Sequence, residues 1–173
     1  SFDIIGQSQS IEKVKSLITK LASTESRIFI SGPAGSGKEL VARQIHKQSS
    51  RSKKPFVVVN GALLDPQKYE QELFGLENSN ETINYGFFEK AKDGTLMIDG
   101  VSEIPLDTQA KILRVLIDQK FRRVNGSKEI NVNVRIISTS SKNIREEVDK
   151  GNFREDLYHR LNVVPIFLPS LKD

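Results

Sequence analysis

Eight consecutive residues, Gly32-Pro33-Ala34-Gly35-Ser36-Gly37-Lys38-Glu39, constrain this chain more than any others. They follow an apolar run, Arg27-Ile28-Phe29-Ile30-Ser31, and lead into a helical stretch carrying Leu40, Val41 and Ile45. Small residues in such a loop let backbone N–H groups close around phosphate oxygens, and the following helix N-terminus favours an anion. Lys38 adds a point charge for terminal phosphates. The strict pattern places Ser or Thr after the lysine as a magnesium ligand; here that place is Glu39. Strand, glycine loop and helix in this order belong to a layered α/β fold, with a nucleotide phosphate as the expected ligand.

Four more β-rich runs follow: Phe56–Asn60, Thr95–Asp99, Val134–Thr139 and Val163–Phe167. Being continuously apolar, they suit strands covered on both faces of a parallel sheet. Between the runs lie helical periodicities. Ile11, Val14, Leu17, Ile18 and Leu21 form one stripe, and Leu106, Ala110, Leu113 and Ile117 form another behind Pro105; both are read as core-facing. The alternation predicts helices packed on a parallel sheet. Asn125-Gly126, between Phe121-Arg122-Arg123-Val124 and Lys128-Glu129-Ile130, predicts a β-hairpin. Leu76 to Tyr85 is polar and aperiodic, and reads as an exposed loop. The run ending in Asp99 delivers a carboxylate at a strand tip, where a phosphate site needs a group that reaches magnesium.

Composition mainly excludes. No cysteine means no disulfide framework, no Cys-ligated zinc or iron–sulfur cluster and no thiol nucleophile. The two histidines, His46 and His159, are far apart in sequence and make no His-rich metal motif. No apolar run approaches the roughly 20 residues of a spanning helix. Ser1-Phe2-Asp3 lacks a basic start and an apolar stretch, so no secretory leader is expected. A net charge of +4 over 173 residues is weak evidence for nucleic acid. Arg51-Ser52-Lys53-Lys54 reads as a solvated basic loop.

The chain as a whole resembles a known family. Ile5-Gly6-Gln7-Ser8, the glycine loop, Glu72-Leu73-Phe74-Gly75, Gly86-Phe87-Phe88-Glu89-Lys90-Ala91, residues 109–116 and residues 153–161 carry the resemblance. In that order they resemble the AAA+ central domain of bacterial enhancer-binding proteins, the sigma-54-dependent activators of two-component systems. Glu39 fits, since this family carries Glu after the loop lysine. The resemblance implies an AAA+ P-loop NTPase α/β subdomain: a five-stranded parallel sheet, helices on both faces and a β-hairpin insertion. A helical lid would start where the chain stops, so residues 1–173 are expected to be this one subdomain without lid, receiver or DNA-binding domain.

The same resemblance implies ATP or ADP with Mg2+ as ligands. Gly32, Pro33, Ala34, Gly35, Ser36, Gly37, Lys38 and Glu39 would hold the nucleotide, and Asp99 the metal; Ser140 and Ser141 occupy the sensor position. Asn60 matches the family's switch asparagine. Arg154 and Arg160 match arginines that reach a neighbouring subunit's site in a ring, usually a hexamer; surface ion pairs with Glu155 and Asp156 are the alternative. Six residues apart on one helix they would project about 120° from each other. A cytoplasmic protein is implied, one that meets itself and an RNA polymerase sigma factor, with DNA contacted only through a separate C-terminal domain and no membrane contact. Lys120-Phe121-Arg122-Arg123, on the family's hairpin insertion, suits ring or partner contacts better than nucleic acid.

Three departures stand out. Gly100 occupies the place of the Glu that aligns or deprotonates the attacking water, and losing a positioned general base typically costs about 10²–10⁴-fold. Glu103 is nearby, but family members with both acids also carry one at that later place. Leu76 to Tyr85 replaces the Gly-Ala-Phe-Thr-Gly-Ala loop that touches sigma-54, so that contact element is missing. The sensor pair, usually Thr-Asn, reads Ser140-Ser141, hydroxyls of shorter reach with no amide. The missing loop, with residues 111–119 and 153–161, is most similar to NtrX-type nitrogen-related response regulators, many of which keep the Glu. Three readings follow: a regulatory ATP-binding module that assembles and hydrolyses poorly, a working ATPase that remodels sigma-54 promoter complexes, or a scaffold between receiver and DNA-binding parts.

Overall fold

The structure is a computed structural model and describes residues 11–170. Ile5-Gly6-Gln7-Ser8 and the final Leu171-Lys172-Asp173 lie outside the described residues, as do the side chains of Ile11 and Val14. The first half of the chain runs α1 (Ile11–Ala22), β1 (Ile28–Ser31), α2 (Lys38–Gln48), β2 (Phe56–Asn60), α3 (Tyr69–Phe74), β3 (Leu76–Glu77), β4 (Ile83–Asn84) and α4 (Phe87–Lys90). The second half runs β5 (Thr95–Asp99), a 3-10 turn at Val101–Glu103, α5 (Leu106–Asp118), β6 (Lys120–Arg122), β7 (Glu129–Asn131), β8 (Arg135–Ser140), α6 (Ile144–Asp149), α7 (Glu155–Leu161) and β9 (Val164–Phe167).

The five apolar runs become one parallel sheet in the order β2-β5-β8-β1-β9. Its side chains alternate between two cores, as the period of a strand requires. Ile28, Ile30, Met97, Ile137 and Ile166 face one layer, with Ile18 and Leu21 of α1 and Val41 and Ile45 of α2. Phe29, Val59, Leu96, Ile98 and Ile136 face the other, where α3 to α7 contribute Leu73, Phe74, Phe88, Ile112, Leu157 and Leu161. Each fully buried aliphatic or aromatic side chain is worth about 1.5–3 kcal/mol of transfer free energy. Pro165, which cannot donate to a ladder, sits opposite Phe29 on edge strand β9, where a missing N–H is tolerated. Among the described residues no helix is long and apolar enough to cross a membrane.

Four local expectations need correcting. Helix α5 forms, but rotated: Leu106 and Ile117 stand 45% and 43% exposed, while Thr108, Gln109, Ile112, Val115 and Leu116 are buried. A buried glutamine hides this face from a hydrophobic count. The Gln109 amide donates to the Ile104 and Asn152 carbonyls and its oxygen accepts the Arg154 N–H, so its polarity is fully used.

Residues 76–85 are not all loop, since β3 and β4 pair as an antiparallel ribbon. The hairpin β6–β7 forms, yet its ladder stops at Arg122 opposite Glu129 and leaves a longer connection than Asn125-Gly126 alone. Two backbone bonds explain it: Val124 donates to the Gly75 carbonyl and Glu77 donates to the Val124 carbonyl, so the hairpin end belongs to the ribbon. Lastly, Arg51 is no solvated charge. Its guanidinium pairs with Glu25 and donates to the Gly94 and Asn133 carbonyls, bracing the end of the sheet away from the glycine loop.

Candidate nucleotide-binding site

Parallel strands put their C-terminal ends on one rim, and helices that start there aim their N-termini at it. Register places Ser31 beside Ser140 and Asn60 beside Asp99, so four strand ends meet. The glycine loop leaves β1 on this rim. Gly35 and Gly37 adopt φ of +78° and +89°, a left-handed backbone that glycine enters without a Cβ penalty, and a Cβ at either would meet only open space. Gly37 ends the loop as the residue before α2, with no side-chain cap, leaving the first-turn N–H groups of α2 free of intrahelical partners. Ser36 Oγ is buried with no partner. A cradle of backbone donors with one orphaned hydroxyl fits a nucleotide phosphate.

Lys38 is buried over this loop. Its Nζ donates to the Gly32 and Pro33 carbonyls at 2.7 and 2.9 Å and to Ser141 Oγ at 3.1 Å. Burial pushes its pKa down, with the opposing attraction of Asp99 smaller. Phosphate oxygens could exchange directly for these neutral acceptors. Asp99 ends β5, its Oδ1 accepting the Thr139 hydroxyl at 2.6 Å. Asn60 Oδ1 accepts the Ala62 N–H, closing the turn after β2.

The other named residues are placed less uniformly. Glu39 pairs with Arg43 one helical turn on, at 2.9 Å, so its carboxylate is engaged on the outer surface. Ser140 spends its hydroxyl locally, donating to the Lys142 carbonyl and accepting the Lys142 N–H, whereas Ser141 reaches Lys38. Gly100 has φ +74°, and Glu103, the next acid along, is paired with Lys142 at 3.3 Å. No cluster of three metal-ligating side chains exists among the described residues. Asp99 alone would hold Mg2+, which suits an ion that keeps several waters and takes phosphate oxygens.

Among the described residues the Lys38 ammonium bonds Gly32, Pro33 and Ser141, and neither Arg154 nor Arg160. The expected shared helix is also corrected: Arg154 precedes α7 in extended backbone, so a 120° helical offset does not describe the pair. Its guanidinium makes a two-point contact with Asp156 at 3.0 and 2.9 Å, which raises the Arg154 pKa and lowers that of Asp156. Arg160 closes α7 at the opposite end of β1, its carbonyl accepting from Arg27. Beside Pro33 a cleft of about 520 Å³ opens between Phe29, Ser141, Tyr158 and Phe167. Sequence reading missed Thr139 and Gln109, both polar and buried within runs that look like core.

Comparison with known proteins agrees with this geometry. A model of the sigma-54 interaction domain matches residues 4–167. The chain is 45% identical to the nitrogen assimilation regulatory protein NtrX of Azorhizobium caulinodans, over 98% of this chain and 38% of that protein. It is 42% identical to the DNA-binding transcriptional regulator NtrC of Escherichia coli K12, over 99% of this chain and 37% of that protein. It thus spans less than two-fifths of these curated relatives. Among solved structures, NtrX from Brucella abortus superposes with a TM-score of 0.91 at 49% identity, covering 96% of this chain and 38% of that one. The same protein in complex with ATP gives 0.89 at 49% identity, with the same coverage. With its parallel sheet, glycine loop and strand-end Asp in this arrangement, the chain belongs to the sigma-54 interaction domain family and is an AAA+ P-loop NTPase domain of the NtrX and NtrC kind.

Proposed function

We propose that this domain binds ATP or ADP with Mg2+ as a regulatory module of an NtrX-like transcriptional response regulator and turns the nucleotide over slowly. One observation carries the reading: a complete phosphate cradle stands beside a strand end that has no general base. Lys38, the glycine loop and Asp99 supply what binding needs. Gly100 supplies nothing to align or deprotonate water, and Glu103, three residues on, is partly exposed and faces Lys142 at 3.3 Å. The relative crystallised with ATP and with ADP supports nucleotide as the ligand. When bound, Mg2+ would neutralise phosphate charge. The chain's own residues would orient the nucleotide: Lys38 would exchange the Gly32 and Pro33 carbonyls for phosphate oxygens, and Asp99 would offer its carboxylate to the metal.

On this reading the domain works in the cytoplasm through nucleotide-dependent self-assembly, with Arg154 or Arg160 completing a neighbour's site and Asn60 sensing the nucleotide. DNA is contacted by other parts of the protein. Sigma-54 would not be met through residues 76–85. The ribbon lacks the aromatic-Thr tip, and its strand β3 is bonded to the β6–β7 hairpin. Pull-down of sigma-54 with a transition-state nucleotide, comparing intact protein with one lacking residues 78–84, checks this point. A complex lost on deletion counts against it.

Calorimetry with ATP and ADP, intact protein against Lys38→Ala, tests binding; equal affinity in the two overturns the nucleotide reading. Steady-state phosphate release tests turnover. Gly100→Glu is expected to raise it by about 10–10³-fold. A Cβ at Gly100 meets nothing closer than Glu103 Cγ at 3.9 Å, but the left-handed backbone costs a side chain about 1–2 kcal/mol, so melting is followed in parallel. Brisk turnover in the intact protein, abolished by Lys38→Ala and unchanged by Gly100→Glu, would make it a working ATPase with another base.

A further inference from the structure

We propose that Thr139 is a positioning residue of this site, its hydroxyl setting the orientation in which Asp99 meets the magnesium of a bound nucleotide. The inference rests on the nucleotide reading above. Thr139 lies on β8 next to β5 and is fully buried. Its Oγ1 donates to Asp99 Oδ1 at 2.6 Å and shares the Gly100 N–H, at 3.2 Å, with the Thr139 backbone carbonyl, which accepts the same N–H at 3.1 Å. A hydroxyl has one hydrogen, and the amide can only donate, so the direction of both bonds is fixed. The result is a short relay from the peptide after Asp99, through Thr139, back onto the Asp99 carboxylate.

A buried threonine in a strand must find some partner, and any carbonyl would satisfy it. Here the partner is the carboxylate named as metal ligand. The donor into the relay is the peptide of Gly100, the residue standing where a general base would be. Glu103, the next acid after Gly100, is turned to Lys142 at 3.3 Å, and no group of three metal-ligating side chains forms among the described residues, so the orientation of Asp99 matters for any magnesium held here. One carboxylate oxygen is committed to Thr139 and the other is left for the cation. Ser141, just past the end of β8, engages Lys38 with its hydroxyl as acceptor. Lys38 and Asp99 are thus tethered separately by hydroxyls from one strand end, and no ion pair between them forms among the described residues.

The test is the magnesium dependence of nucleotide affinity, measured by calorimetry for the intact protein, Thr139→Val, Thr139→Ala and Thr139→Ser. A charge-assisted hydrogen bond of this kind is expected to be worth about tenfold in the magnesium-dependent gain. Thr139→Val and Thr139→Ala should lose that much of the gain, with magnesium-free affinity changed less than about twofold, and Thr139→Ser should retain it. If Thr139→Val does not fold, Thr139→Ala removes the hydroxyl without adding an apolar branch and carries the comparison. A full magnesium gain in both hydroxyl-free variants, or its loss in Thr139→Ser, overturns this inference alone. Failure of the intact protein to bind nucleotide with or without magnesium overturns the functional reading as well.

Discussion

His46 joins α2 to the start of β5 with both ring nitrogens engaged. The Lys54 carbonyl can only accept, so Nε2 carries the proton at 3.0 Å, and Nδ1 accepts the Thr95 hydroxyl at 2.7 Å. Protonation would break the second bond. Burial pushes the His46 pKa below its ordinary value, the Lys54 carbonyl opposes this, and Arg135 and Arg51 reinforce it. The native state therefore resists a proton that the unfolded chain accepts. Its contribution is complete above the unfolded value of about 6.5 and is lost as pH falls below that towards the lower folded pKa, by at most about 1.4 kcal/mol per pH unit. Urea midpoints at pH 7.5 and 5.5 should fall more for the intact protein than for His46→Gln; equal falls would remove His46 as the cause.

Among the elements, the ribbon and the hairpin are held together by Arg123. Its guanidinium forks onto Glu89 of α4 at 2.8 and 2.9 Å, reaches Glu77 of β3 at 3.1 Å and lies over the Tyr85 ring. The Glu89 hydrogen bond, ahead of burial, which opposes it, raises the Arg123 pKa. Phe121 beside it is buried against Phe74 and Phe88, so the aromatic of this run packs into the core while Lys120 and Arg122 on either side stay exposed. Removing one partner from a buried ionic cluster leaves carboxylates uncompensated. Arg123→Met is expected to cost about 3 kcal/mol and to speed amide exchange in β3 and β4 ahead of β5 and β8. Exchange that rises equally in the central strands would show that the clamp supports the whole fold and not the two insertions. Arg123→Lys, which keeps charge but not the planar fork, should fall between.

At the scale of the molecule, the site is a meeting of four strand ends, so a ligand there ties β1, β2, β5 and β8 together. A ligand that binds only the native state stabilises it by about 2.7 kcal/mol at one hundred times its dissociation constant. For a chain of this length that is a rise in melting temperature of about 5–10 °C. ADP with Mg2+ should produce it, and Lys38→Ala should abolish it without lowering the melting temperature of the free protein by a comparable amount. A shift that survives Lys38→Ala would place the nucleotide elsewhere.

The strands of the sheet and its phosphate loop are legible in the residues, because both are written locally. Unbroken apolar runs such as Phe56–Asn60 and Thr95–Asp99 match their strands end to end, and glycine spacing alone dictates the left-handed turns at Gly35 and Gly37. The identity of Gly100 was legible in the same way, as one residue in a fixed place after a strand. The turn of α5, the bracing roles of Arg51 and Arg123 and the meeting of Thr139 with Asp99 emerge only in the folded chain. Each of these depends on a polar group finding its partner across long sequence separation: 34 residues from Glu89 to Arg123 and 40 from Asp99 to Thr139. Hydrophobic periodicity reports which residues leave water. A buried polar group leaves water only when a partner is waiting, and that partner is known once the chain has closed on itself.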